Sequence, residues 1–234
     1  MKNSASVHFN HVGKRVLVGV VGLFLGSTAW AGTITGSAHD FSTSNWSGGQ
    51  ICVACHTPHG GNTTVADAPL WNHTLTTATY TLYSSGTLNG GPLAQPSGVS
   101  KLCLSCHDGT VAIDSFGGGA GTAGVMTGSK AVGAAAQGSL ANDHPIGFTF
   151  DTALATADGA LFDPSTKSVV VGSGGTKTKT GTVANLMLFN GKLECASCHD
   201  VHNNFTAANG TGVGAPLLRV SKAGSSICLT CHNK

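Results

Sequence analysis

The sequence predicts a chain of mostly irregular coil with short helices and a few β-hairpins, built as a duplicated module in which large side chains alone do not make the core. Three observations predict it. Glycine occupies 34 of 234 positions while aromatic residues make up only 6%. All eight cysteines fall in four C-x-x-C-H motifs. The motifs and the residues around them recur in the same order in the two halves of the chain. A hydrophobic share of 41% against 9% charged residues would suit one ordinary domain, but alanine and one N-terminal run swell that share. The formal charge of +2 excludes a polybasic nucleic-acid binder.

The N-terminal run comes first. Lys2, Lys14 and Arg15 precede the apolar stretch from Val16 to Gly26, and Ala29-Trp30-Ala31 offers small residues at the cleavage positions. Residues 1–31 therefore read as a secretory signal peptide, with the mature chain starting at Gly32. A membrane span needs about 20 apolar residues, more than this run holds, and no later segment is apolar enough to span. The mature chain carries nine basic and ten acidic residues and is expected to be exported, at the cell surface or beyond it, with the periplasm as the alternative.

An exported chain with eight cysteines would ordinarily be a disulfide scaffold. The spacing argues for different chemistry, because each pair is separated by two residues and followed at once by histidine. The motifs are Cys52, Cys55 and His56; Cys103, Cys106 and His107; Cys195, Cys198 and His199; and Cys228, Cys231 and His232. Zinc held by cysteine knuckles has no need of histidine after every pair. C-x-x-C-H is the attachment signature of c-type haem, in which both thiols form thioethers to the porphyrin and the histidine binds the iron. A short helical turn brings the two sulfurs and the imidazole to one side of the macrocycle. Four covalently bound haems are expected, with His56, His107, His199 and His232 as proximal ligands.

The second axial ligand must come from what remains. His8 and His11 leave with the signal peptide, so the distal candidates are His39, His59, His73, His144 and His202. Of the methionines, only Met126 and Met187 persist. Five histidines for four irons favour bis-histidine coordination, which gives a lower potential than a His/Met pair and closes the iron to oxygen or substrate. The expected chemistry is outer-sphere electron transfer, with no catalytic residues. The spare histidine would hold a propionate or another imidazole.

The repeat orders these candidates. The first and third motifs continue as CxxCHxxH, ending at His59 and His202, and the second and fourth both read CLxCH. APL recurs at Ala68 to Leu70 and Ala215 to Leu217, and VSK precedes both closing motifs. His39 and His144 lie upstream of the first motif of their halves, whereas His73 has no counterpart. The divisions are a first dihaem module over 32–116, a Gly/Ala-rich linker over 117–138, and a second dihaem module over 139–234 that includes a hairpin. Helix is expected at the motifs and near the chain centre. Strands are expected at Thr79 to Tyr83, and as a hairpin pairing Ser168 to Gly172 with Ala184 to Phe189. Gly119, Gly121 and Gly124 match G-x-G-x-x-G without the flanking strand and helix a dinucleotide site needs. Trp46, Trp71, Tyr80 and Tyr83 are expected to pack on haem.

The order AHDFS, ICVACHTPHGG, APLWNH, KLCLSCHDGTVAIDSFGG, NDHPIGF, CASCHDVHN resembles that of the multihaem c-type cytochromes of metal-reducing bacteria. Four haems on so short a mature chain are similar to the OmcE-type tetrahaem cytochromes, which polymerise into extracellular nanowire filaments. The resemblance implies a continuous stack of bis-His haems through end-to-end subunits, with one distal ligand crossing the junction from His39 or His59. It also implies other multihaem cytochromes or an outer-membrane conduit as partners, and external acceptors such as metal oxides. Two further functions compete with this conduit: a monomeric periplasmic electron shuttle, and an enzyme with one open haem.

Overall fold

The computed structural model describes residues 34–64, 68, 70–133, 138–172, 177–206 and 216–234. The expected signal peptide, and part of each APL echo (Pro69 and Ala215), lie outside them. Coil predominates because short polar side chains close turns on neighbouring amides instead of leaving those amides to a ladder. The Asp40 carboxylate accepts from Gly36 N at 2.6 Å and Ser42 N at 3.0 Å, Asn62 accepts from Thr64 N at 2.8 Å, and Asp163 accepts from Ser165 N at 2.9 Å.

The regular elements are short. Strand β1 (Thr81–Leu82) pairs in parallel with β2 (Ser139–Leu140), so only two residues of the expected Thr79 to Tyr83 strand are extended pairs. Helix α1 (Gly98–His107) contains the whole second motif and buries Ser100, Leu102, Leu104 and Ser105. It ends where Asp108 N donates to Leu104 O at 2.9 Å and Gly109 turns left-handed with φ 70°. Strand β3 (Phe148–Thr149) and helix α2 (Thr152–Asp158) follow. Asp151 caps α2 by accepting from Leu154 N at 2.8 Å, and Gly159 closes it in the left-handed region.

The hairpin differs from the one the apolar pattern predicts. Strand β4 (Ser168–Val171) pairs antiparallel with β5 (Lys179–Thr182), which lies in the stretch read as the turn. The expected partner at Ala184 to Phe189 is instead mainly helix α3 (Val183–Met187). The Thr182 side chain caps it from Asn185 N at 3.3 Å, and Val183 and Met187, one helical turn apart, are both buried. Gly172, φ 77°, ends β4 where an added Cβ would sit 1.9 Å from Lys177 O, so glycine is required there.

These elements nevertheless bring some apolar side chains together. Phe150, Ala155, Val169, Val171, Val183, Met187 and Leu193 form a conventional buried cluster. In β4 the alternation is clean, with Val169 and Val171 inside and Val170 52% exposed. The clusters in the first half are smaller: Ala68, Trp71 and Leu102, and separately Tyr80, Leu104 and Leu140.

Strand β6 (Lys192–Leu193) pairs with β3 and leads into α4 (Cys195–Cys198) of the third motif. Glu194 and Ser197 form a capping box, with Glu194 N donating to Ser197 Oγ at 2.8 Å. Ser100 clasps α1 to α4. Its hydroxyl donates to the Glu194 carboxylate and accepts from Cys195 N at 3.0 Å, which makes the Cys103 and Cys195 thiols hydrogen-bonding neighbours. The two expected modules thus meet at their second and third motifs.

Described residues of the 117–133 stretch bond to the first half. Val132 N donates to His107 O at 2.7 Å, and Ile113 N to Gly124 O at 2.9 Å. The glycine-rich loop already has an anion: Asp114 accepts from Thr122 N at 2.8 Å and Ala123 N at 2.9 Å. Those backbone donors pull the Asp114 carboxyl below its ordinary value.

The sequence echo is also an echo in backbone geometry. In the first half Thr57 N donates to Leu70 O at 3.0 Å and Asn72 N to Cys55 O at 2.9 Å; in the second, Asp200 N donates to Leu217 O and Arg219 N to Cys198 O, both at 2.8 Å. The Asn72 side chain bonds Val53 O at 2.5 Å and Arg219 Nε bonds Ala196 O at 2.8 Å, so one side chain holds the inside of each CxxC in both halves. Left-handed residues recur as well: Gly60 with Asn203, and Leu70 (φ 54°) with Leu217 (φ 51°). A left-handed leucine costs about 1–2 kcal/mol. Leu70 is 43% exposed and Leu217 2%, so their glycine variants should diverge. Leu70→Gly is expected to stabilise by up to about 1 kcal/mol by releasing strain, and Leu217→Gly to destabilise by about 2 kcal/mol or more through the lost buried side chain. Equal losses in denaturant unfolding would contradict this.

Candidate functional site

Each of the four motifs folds as one helical turn. His56 N donates to Cys52 O at 2.8 Å, His199 N to Cys195 O at 3.1 Å and His232 N to Cys228 O at 2.9 Å, while the second motif lies within α1. The turn gathers two thiols and an imidazole onto one short segment. All eight cysteines are free thiols, with Cys52 and Cys228 exposed. Burial pushes the Cys55 and Cys231 thiols up to about 11 and Cys106 up to about 12. Among the described residues no three of His, Cys, Asp and Glu converge to hold a metal ion.

The histidines do come together, in pairs. The His39 and His107 ring centroids are 6.0 Å apart, His56 and His202 6.1 Å, and His144 and His232 6.4 Å. Two imidazoles on opposite sides of one iron, each bound at about 2 Å as imidazole commonly binds metals, have centroids about 6 Å apart. Each pair joins one motif histidine to one distal candidate, so these residues fit the group that the motifs imply. The planes differ: His56 and His202 are close to parallel at 18°, and His144 and His232 stand at 73°.

Backbone carbonyls orient several of these rings. His107 Nδ1 lies 2.7 Å from Lys130 O, His199 Nδ1 2.6 Å from Pro216 O, and His144 Nδ1 2.9 Å from Pro145 O. A donating Nδ1–H leaves Nε2 with the lone pair, the form in which histidine binds metal. Lys130 belongs to the segment that folds back from the linker, which gives that segment a role at the second motif.

His39 is half-buried, and its solvent-inaccessible Nδ1 has no hydrogen-bond partner. Burial, then the neighbouring His107, His199 and His202, lower its pKa to about 4. Burial and the charge of His144 also lower the pKa of His232.

The remaining candidates, His59 and His73, differ in every respect. His59 is exposed, at a recess that it lines with Thr57, Asn62, Trp71 and Gly117. His73 is 3% exposed, with Nδ1 2.8 Å from Thr74 O, Nε2 3.1 Å from Ala112 O and Cys106 Sγ 3.4 Å from Nε2. Neither is brought to His199.

The aromatic residues divide between packing and polar work. Trp46 packs against Phe41 and Phe116. Trp71 stands edge-on to His56 at 6.3 Å, with a buried Nε1 that has no partner. Tyr80 is buried and donates to Asp108 at 2.7 Å. Sequence reasoning overlooked Asp108, the paired left-handed leucines, and the Asn72 and Arg219 braces. The APL echo was the available signal for the braces, but the bracing residue changes type between the halves.

Comparison with protein-family models and with curated proteins returned no match.

Proposed function

We propose that this chain is a tetrahaem c-type electron carrier with bis-histidine ligation, acting as the subunit of an extracellular filament. The observation that carries the reading is the pairing of three motif histidines with three distal candidates at 6.0–6.4 Å. Each haem, when bound, supplies a one-electron ferric–ferrous couple. The chain's own residues do the rest. Eight cysteines anchor the groups, paired imidazoles close both axial positions against oxygen and substrate, and the Ser100 clasp holds the second and third motifs side by side.

The filament follows from the repeat. His39 with His107 and His144 with His232 are equivalent pairs, each joining the upstream histidine of a half to its closing motif. His56 pairs with His202, so the opening motif of the first half takes the trailing histidine of the second. The equivalent partner for His199 would be the trailing histidine of a following module, which within this sequence is His59 of a second copy. His59 is exposed as that role needs, whereas His73 is buried against two carbonyls and is the spare. A head-to-tail contact that does not close generates an open filament.

Electron microscopy of the secreted protein tests the assembly. Filaments of this single chain are expected. Discrete particles at all concentrations would overturn the filament and leave the monomeric carrier.

A further inference from the structure

Asp108 follows His107 directly and is 2% exposed. Its carboxylate accepts four hydrogen bonds: from Thr76 Oγ1 at 2.6 Å, Tyr80 OH at 2.7 Å, Thr110 N at 2.8 Å and Thr110 Oγ1 at 2.7 Å. All four donors are neutral, and among the described residues no cation contacts it. Four donors around its two oxygens suit the ionised carboxylate, which can only accept.

Of the other three motifs, two have an uncharged residue after the histidine and one has aspartate. Thr57 follows His56, Asn233 follows His232, and both are uncharged. Asp200 follows His199, but Arg219 is close enough for their charges to interact, and Asp200 also accepts from Asn204 N at 2.9 Å and Phe205 N at 2.8 Å. A buried negative charge without a counter-cation favours the more positive state of a nearby centre, and the low interior dielectric strengthens the effect.

We infer that Asp108 is a potential-setting residue that lowers the potential of the haem on Cys103, Cys106 and His107. The inference rests on the proposed four-haem reading. One electron enters or leaves the iron, no bond or proton moves, and the carboxylate stabilises the ferric side of that couple. Tyr80, Thr76 and Thr110 hold the charge in place and partly damp it.

The test is a spectroscopic redox titration of the full haem-loaded protein and two variants. Asp108→Asn is expected to move one quarter of the haem signal to higher potential while the other three quarters stay. Tyr80→Phe removes a damping donor and is expected to move the same quarter lower, opposite in sign, where mere loosening of the fold would move both variants alike. An unchanged titration in Asp108→Asn, or a shift of the same sign in both variants, would overturn the inference. If Asp108→Asn does not assemble, the Tyr80→Phe titration decides by its direction alone. A wild-type protein with fewer than four haems would instead overturn the underlying reading, and haem counting of the same sample separates the two failures.

Discussion

Replacing His202 with alanine is expected to leave all four haems attached but to open one iron. The Cys52 and Cys55 anchors and the proximal His56 are untouched, while the imidazole that stacks on His56 at 6.1 Å and 18° is gone. One quarter of the ferric signal should become high-spin, and the reduced protein should gain about one carbon monoxide site per chain. His202 N caps onto Asp200 Oδ1 at 3.1 Å through the backbone, which alanine preserves, so the local turn should hold. His73→Ala is the control. It removes a ring from two buried carbonyls and should cost about 1–3 kcal/mol of stability without producing a high-spin haem. A high-spin signal in His73→Ala and none in His202→Ala would reverse the assignment of spare and ligand.

The second large effect concerns assembly. His59→Ala should attach four haems yet form no filaments if, as proposed, the exposed imidazole serves the His199 site of a second copy. Each isolated subunit then has an unpartnered His199 iron, and the high-spin fraction should be near one quarter. Dispersing the wild-type filament should produce the same fraction, and reassembly should remove it. Filaments formed by His59→Ala with all irons low-spin would exclude His59 as the crossing ligand.

What could be read from the chain, and what could not, follows from which forces set each feature. The four motifs were legible because a fixed local spacing of two cysteines and one histidine is read directly from the chain, whatever surrounds it. The pairing of His56 with His202 was not, since it joins residues distant in sequence and depends on how the halves meet at Ser100 and Glu194. β5 was missed because KTGT has no apolar alternation; its extended form comes from pairing with Val169 and Val171 in β4. The stretch from Ala184 looked strand-like because the helical period begins one residue earlier, at Val183. The left-handed Leu70 and Leu217 could not be anticipated from residue type, since leucine resists that conformation.

The central claim is that the eight cysteines hold four haems, and the mass of the intact secreted protein under denaturing conditions tests it most directly. The account predicts a polypeptide beginning at Gly32 plus four haem masses that survive unfolding. A bare polypeptide mass, or one lowered by disulfide formation, would contradict it.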